Sequence, residues 1–237
     1  MCATCGCGEN ELVTKEVHTV LLSENDRIAA HNREHFRRHG VLAINVMGSP
    51  GSGKTALLEA TARHFGSTKK ICALSGDLAT DLDAARLSSA GISARSITTG
   101  SVCHLNAQMV HQELHRMDWQ NADILFLENV GNLVCPAIFD LGQAVNVVVL
   151  SVTEGEDKPL KYPVMFLNCQ LVILSKIDLL PSLPSYRLEC FEKSLSQTMP
   201  EPFYLPVSAQ SGQGMDNWLD KINNWLGSAL PQSVTAP

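Results

Sequence analysis

Lys54 and Thr55 close the run Gly48-Ser49-Pro50-Gly51-Ser52-Gly53-Lys54-Thr55. That spacing of glycines, ammonium and hydroxyl is the pattern of a phosphate-binding loop. An apolar run, Val41 to Met47, precedes it, and a helix-forming segment, Ala56 to Phe65, follows it. Strand, glycine loop and helix together aim backbone N–H groups and a helix N-terminus at an anion. The glycines let the backbone wrap closely, Lys54 reaches the β- and γ-phosphates, and the Thr55 hydroxyl suits Mg2+. The chemistry implied is binding of a nucleoside triphosphate.

Further candidates stand at the ends of other apolar runs. Asp77, in Ser75-Gly76-Asp77, is placed to serve the γ-phosphate and its Mg2+, with a turn or helix-capping aspartate as the plainer reading. Glu128 ends the next such run, where a metal-holding acid belongs, and Gly131 follows with an N–H for the γ-phosphate; a strand-terminal turn is the alternative there. Ser175-Lys176-Ile177-Asp178 resembles the N-K-x-D signature of GTPases, with Ser175 in place of asparagine. In that signature the aspartate accepts from guanine N1 and N2, donors that adenine lacks. Ser208-Ala209, followed by Gly212 and Gly214, resembles the loop whose N–H meets guanine O6. GTP is therefore expected over ATP. No catalytic base or arginine finger is identifiable.

Two constellations carry metal chemistry. Cys2, Cys5 and Cys7 form a C-x-x-C-x-C cluster, with glycines at positions 6 and 8 for sharp turns. Thiolates select soft or borderline ions such as Ni2+, Zn2+ or Cu+, and the chain's amino group is near enough to serve as a fourth donor. The second constellation is Cys103 and His104 with Cys135, each expected at the nucleotide edge of a sheet. One chain supplies three donors there, and two chains in a dimer could share them; buried core residues are the plainer alternative. His31, His35 and His39 fall four apart on a helical face and read as a solvated stripe, as do His111 and His115. Cys72, Cys169 and Cys190 sit in or beside apolar segments and read as core.

These residues require a frame. Strand-like runs fall near Val41–Met47, Ile71–Leu74, Ala94–Ile97, Asp123–Leu127, Val145–Val152, Leu171–Leu174 and Phe203–Val207. Helical segments alternate with them, including Asp81–Ala90, Leu105–Met117, Tyr186–Thr198 and Met215–Leu226. Continuous Val/Ile/Leu runs suit strands covered on both faces. The fold expected is doubly wound α/β, a mainly parallel sheet of about seven strands of the P-loop NTPase type. The expected division is a Cys-rich tail over 1–10, a helical extension over 11–40, a nucleotide-binding domain over 41–230 and a frayed end over 231–237. Ser23 and Asp26 resemble a capping box opening the helix that ends near Gly40.

With 237 residues the chain can bury a large core, and its net charge of −6 argues against nucleic acid as a partner. No apolar stretch reaches membrane-spanning length, and the N-terminus lacks a secretion-signal pattern. A cytoplasmic protein is expected, with its eight cysteines as thiols.

The chain as a whole resembles the hydrogenase nickel-incorporation GTPases, the HypB family. The resemblance rests on the Cys-x-x-Cys-Gly-Cys-Gly tail and the phosphate loop, and on two long runs, Glu128 to Pro136 (Glu-Asn-Val-Gly-Asn-Leu-Val-Cys-Pro) and Ser151 to Pro163 (Ser-Val-Thr-Glu-Gly-Glu-Asp-Lys-Pro-Leu-Lys-Tyr-Pro). It implies slow GTP hydrolysis and delivery of Ni2+ to a nickel–iron hydrogenase large-subunit precursor with partner chaperones. It further implies a homodimer, a tight nickel site at Cys2, Cys5 and Cys7, and a weaker nickel or zinc site at Cys103, His104 and Cys135. Ser175 departs from the family pattern, and no histidine-rich stretch for bulk nickel storage follows the tail. The competing readings are a urease-type nickel GTPase, a metal carrier with a regulatory nucleotide site, and a small kinase. Ala137 after Cys135-Pro136 disfavours the first, whose motif places Cys, Pro and His together. Asp178 and the Ser208-Ala209 loop disfavour the last.

Overall fold

The computed structural model describes residues 7–229, with side chains over 20–228. Helix α1 (Cys7–His39) leads into strand β1 (Leu42–Met47), the phosphate loop and α2 (Lys54–Phe65). Next come β2 (Ile71–Asp77), α3 (Leu82–Ser89), β3 (Ser93–Thr98), α4 (Ala107–Leu114) and β4 (Ile124–Glu128). After β5 (Val145–Ser151) stand two short helices, α5 (Lys158–Lys161) and α6 (Pro163–Leu167), then β6 (Leu171–Ser175) and α7 (Leu188–Ser196). Strand β7 (Tyr204–Val207) and α8 (Met215–Ala229) finish the described chain.

The seven strands form one sheet in the order β3-β2-β4-β1-β5-β6-β7, and every pairing is parallel. Parallel strands need crossovers, and these lay helices on both faces. Strands β1, β4 and β6 are accordingly buried along their whole length. On one face Leu57, Leu58, Phe126, Trp218 and Ile222 pack together. On the other, Phe36 of α1 and Val110 of α4 meet Leu125 and Leu127 of β4, while Phe166 and Phe191 close the β5–β6 side. Parallel pairing brings the carboxyl ends of β1, β2, β4, β5 and β6 to one edge, so residues distant in sequence share it.

The helix before β1 differs from expectation. Ser23 does not open it, since α1 begins at Cys7 and the Ser23 hydroxyl donates to Val20 O at 2.8 Å within the helix. Residues 7–10 belong to α1, while Cys2 and Cys5 lie outside the described residues. Helix α4 is shorter than the segment Leu105–Met117, because Asn106 caps its start by accepting from Met109 N–H at 2.9 Å. Cys72 and Cys169 are buried as expected, whereas Cys190 is only half-buried, on the partly exposed face of α7.

Candidate functional site

The phosphate loop wraps the end of β1. A side-chain carbon at Gly48 would sit 2.3 Å from Val149 O, so only glycine fits against β5 there. Lys54, at the start of α2, is buried, and its Nζ donates to Gly48 O and Ser49 O at 3.2 Å each. Burial draws its pKa below the ordinary ammonium value, opposed by the carboxylates of Glu128, Asp83 and Glu154. A desolvated cation held in a glycine loop is prepared for an anion. The cavity alongside, about 490 Å3, is lined by Pro50, Lys54, Thr55, Asp77, Glu128 and Gly131 among others.

Two carboxylates converge at Thr55. Its hydroxyl lies 2.6 Å from Glu128 Oε1 and 3.0 Å from Asp83 Oδ1. Glu128 is nearly inaccessible, and burial pushes its pKa up, partly offset by the Thr55 hydrogen bond and the Lys54 charge. A buried carboxylate beside a hydroxyl and a second carboxylate is a donor set that suits Mg2+. Asp77 lines the same cavity, but its carboxylate accepts from Ala79 N–H at 2.9 Å and Thr80 N–H at 3.0 Å, and these bonds hold its pKa down. The acid that reaches Thr55 beside Glu128 is Asp83, from α3. Nothing in its local sequence marks it out, because its position depends on how α3 packs on α2.

A second cavity, about 430 Å3, continues along the loop past Gly53 and is lined by Ser175, Lys176, Asp178, Ala209 and Gln210. Ser175 does here what a short side chain can do, donating from its hydroxyl to Ser52 O at 2.5 Å. Lys176 has a left-handed backbone, φ 59°, a strain of about 1–2 kcal/mol, and its Nζ donates to Gly51 O at 2.6 Å. Both residues therefore tie the end of β6 to the phosphate loop. Ser208 is fully buried and its hydroxyl accepts from Ser211 N–H at 3.0 Å, which fixes the turn carrying Ala209. The segment after β5 is attached as well. Glu154 accepts from Ser151 N–H at 2.9 Å and from the Ser49 hydroxyl, so its polar character serves the loop.

Cys103 and His104 precede α4, and Cys135 follows β4. The fold brings them together, with one donor atom from each within 4.8 Å of the others. Cys103 Sγ lies 2.9 Å from Cys135 Sγ, and this contact with burial raises the Cys135 pKa. The His104 ring stacks on Phe139 with centroids 3.9 Å apart, and burial lowers its pKa. Its Nδ1 is buried without a hydrogen-bond partner. Buried polar atoms are paired as a rule, so an orphan nitrogen beside two thiols fits a borderline divalent ion such as Ni2+ or Zn2+.

Asn129 connects this cluster to the phosphate loop. Its buried Oδ1 accepts from Leu105 N–H and Val130 N–H, both at 3.0 Å, and its Nδ2 donates to Asn45 Oδ1 at 3.2 Å. Leu105 follows His104 directly. Gly131, two positions after Asn129, packs so closely that a side-chain carbon there would lie 2.8 Å from Pro50 Cγ.

Residues 42–202 match the model of the CobW/HypB/UreG nucleotide-binding domain. The chain belongs to the HypB family. The hydrogenase maturation factor HypB of Azotobacter vinelandii is 46% identical over 216 residues, covering 91% of this chain and 71% of that protein. A crystal structure of HypB from Archaeoglobus fulgidus superposes with a TM-score of 0.80 at 38% identity, covering 86% of this chain and all of that one (100%). HypB from Helicobacter pylori in complex with nickel superposes with a TM-score of 0.81 at 36% identity, covering 90% and 100%. The seven-stranded P-loop architecture is thus that of the HypB structures. Among the described residues no helix is long and apolar enough to cross a membrane.

Proposed function

We propose that this chain is a GTP-hydrolysing nickel metallochaperone that delivers Ni2+ to a nickel–iron hydrogenase precursor, with metal affinity set by the bound nucleotide. The observation carrying the reading is the convergence of Cys103, His104 and Cys135 on loops that Asn129 and Gly131 tie to the phosphate site. The nickel complex of the Helicobacter pylori relative supports the cargo.

In this reading the triphosphate lies along residues 48–55, and Lys54 leaves its backbone partners for the β- and γ-phosphates. Thr55, Glu128 and Asp77, together with Asp83 beside the Thr55 hydroxyl, would hold Mg2+ directly or through water. The cation supplies charge neutralisation at the phosphates. Gly131 N–H senses the γ-phosphate, and water yields GDP and phosphate. Turnover is slow, because among the described residues the arginine that lines the cleft, Arg86, is engaged by Glu59 at 2.9 Å and no catalytic base is identifiable. Lys176, Asp178, Ser208 and Ala209 read guanine. Hydrolysis frees the Gly131 segment, Asn129 passes the shift to Leu105, and the spacing of the metal donors changes.

Cys2, Cys5 and Cys7 form the tight tail site, and Cys103, His104 and Cys135 the weaker nickel or zinc site. Val134 and Ile138, exposed on either side of Cys135, offer an apolar surface for a second copy that would complete the three-donor set. The protein works in the cytoplasm with maturation chaperones and the large-subunit precursor.

The test is phosphate release from GTP, in parallel with nickel loading of a hydrogenase large-subunit precursor. The reading predicts that both are lost in Lys54→Ala. Nickel loading that persists without turnover would leave a metal carrier with an idle nucleotide site.

A further inference from the structure

Four histidines far from the phosphate loop meet where α1 packs on α4. His31 and His35 stand on α1, with Nε2 atoms 3.2 Å apart. His111 stands on α4 and His115 ends it, with Nε2 atoms also 3.2 Å apart. The His31 and His111 rings are 5.1 Å apart between centroids, and those of His35 and His111 are 6.4 Å apart. Each pair alone is a helical i, i+4 repeat of the sort found on many solvated faces. The packing of α1 on α4 turns the two stripes towards each other.

We propose that His31, His35, His111 and His115 form an imidazole-only binding site for a divalent transition ion of the Ni2+ or Zn2+ class, bridging α1 and α4.

The spacing fits. With metal–nitrogen bonds of about 2.0–2.1 Å, two imidazoles on one ion hold their nitrogens about 2.9 Å apart at a right angle and about 3.3 Å apart in a tetrahedron. Each pair shows 3.2 Å, while across the two helices no three of the four residues bring donor nitrogens within 4.8 Å of one another, so the site closes by rotation of the rings. Protonation fits too. The buried Asn32 spends both amide hydrogens on Ala107 O at 3.0 Å and Leu141 O at 3.2 Å. Its Oδ1 must then accept from His111 Nδ1–H, at 3.0 Å. That leaves His111 Nε2 as an acceptor, and it takes the hydrogen bond from His115 Nε2–H at 3.2 Å, which a bound ion would replace. A ligating histidine oriented by a hydrogen bond from its other nitrogen is the usual arrangement at metal sites. His31 and His115 are exposed and need only side-chain rotation to join. A groove of about 490 Å3 beside His35, His111 and His115 gives an ion access. The nearest cations are already paired, Arg38 with Glu34 at 2.8 Å and Arg116 with Glu113 at 2.7 Å, so they do not repel a second positive charge unopposed. This inference stands apart from the proposed role of Cys103, His104 and Cys135, since it uses none of their atoms.

The test uses the full chain with Cys2, Cys5, Cys7, Cys103 and Cys135 replaced by serine, so that no proposed thiolate ligand competes. Titration with Ni2+ or Zn2+ alone is expected to load about one ion per chain without thiolate charge-transfer absorption. His31→Ala with His35→Ala, and separately His115→Ala, are each expected to weaken binding at least about tenfold. His31 and His115 are exposed and His35 is half-buried, so the fold should tolerate their loss, whereas His111→Ala would also strand Asn32. In the unsubstituted chain, His31→Ala with His115→Ala should remove one equivalent of bound metal and leave the thiolate absorption unchanged. Absence of binding in the five-serine chain, or binding indifferent to the α1 pair, would overturn the bridging site.

Discussion

Cys103 Sγ and Cys135 Sγ lie 2.9 Å apart although 32 positions separate them in the chain. They belong to the loops after β3 and β4, two strands that flank β2 in the sheet. The β4 loop runs on from Asn129 and Gly131 in the cleft lining, and the β3 loop is joined to it by the bond from Leu105 N–H to Asn129, so a small movement of the cleft edge alters the donor set. Metal affinity and nucleotide state should be linked, and linkage is reciprocal.

Replacing Cys135 with serine, or His104 with alanine, should weaken nickel binding at the domain site by about 100-fold or more, beyond the 10–100-fold typical of outer partners of a ligand. The raised Cys135 pKa means that its proton must leave on loading. Binding should release protons and weaken as pH falls, which calorimetry in buffers of different ionisation enthalpy would measure.

Glu128→Gln separates stability from chemistry. The Glu128 pKa is raised above its ordinary value of 4.5 by burial, so the folded state binds a proton that the unfolded state has already released. Across the window upward from 4.5, stability of the nucleotide-free protein therefore falls as pH rises, and at neutral pH the buried charge is a burden. Glu128→Gln should flatten that slope and melt at an equal or higher temperature at neutral pH. GTP turnover should nonetheless drop by about 100-fold or more, from loss of a preorganised charge at the phosphate site.

Asp178→Asn should exchange base preference. A carboxylate accepts from N1–H and N2–H of guanine, whereas an amide accepts from N1–H and donates to the O2 of xanthine. Sites built on such hydrogen bonds discriminate by about 10^4 or more, so competition between GTP and XTP should invert.

Asn129→Ala would leave Leu105 N–H, Val130 N–H and Asn45 without their buried partner. The cost should be about 2–4 kcal/mol in denaturant melts. Nickel and GTP should each still bind, while the effect of one on the other shrinks.

Much of the cleft was legible because its signals are local. The residues from Gly48 to Thr55 carry their own turn and helix start, and every strand-end candidate followed from reading continuous apolar runs as parallel strands. Cys103, His104 and Cys135 could be placed together on the same ground, since parallel strands deliver their carboxyl ends to one edge. Asp83 was not legible, because its reach to Thr55 depends on the packing of α3 against α2. Ser23 misled, since a serine three residues before an acid occurs as readily inside a helix as at its start. The histidine stripes of α1 and α4 each read as solvated faces; their convergence comes from helix packing, which no local pattern encodes.

The most direct test is nickel affinity at the domain site with the tail cysteines replaced by serine, measured nucleotide-free, with GDP and with a non-hydrolysable GTP analogue in the presence of Mg2+. A GTP-gated donor predicts affinities that differ between the GDP and GTP-analogue states by about fivefold or more, the lower end of typical coupling energies. One affinity common to all three states would contradict the gating account.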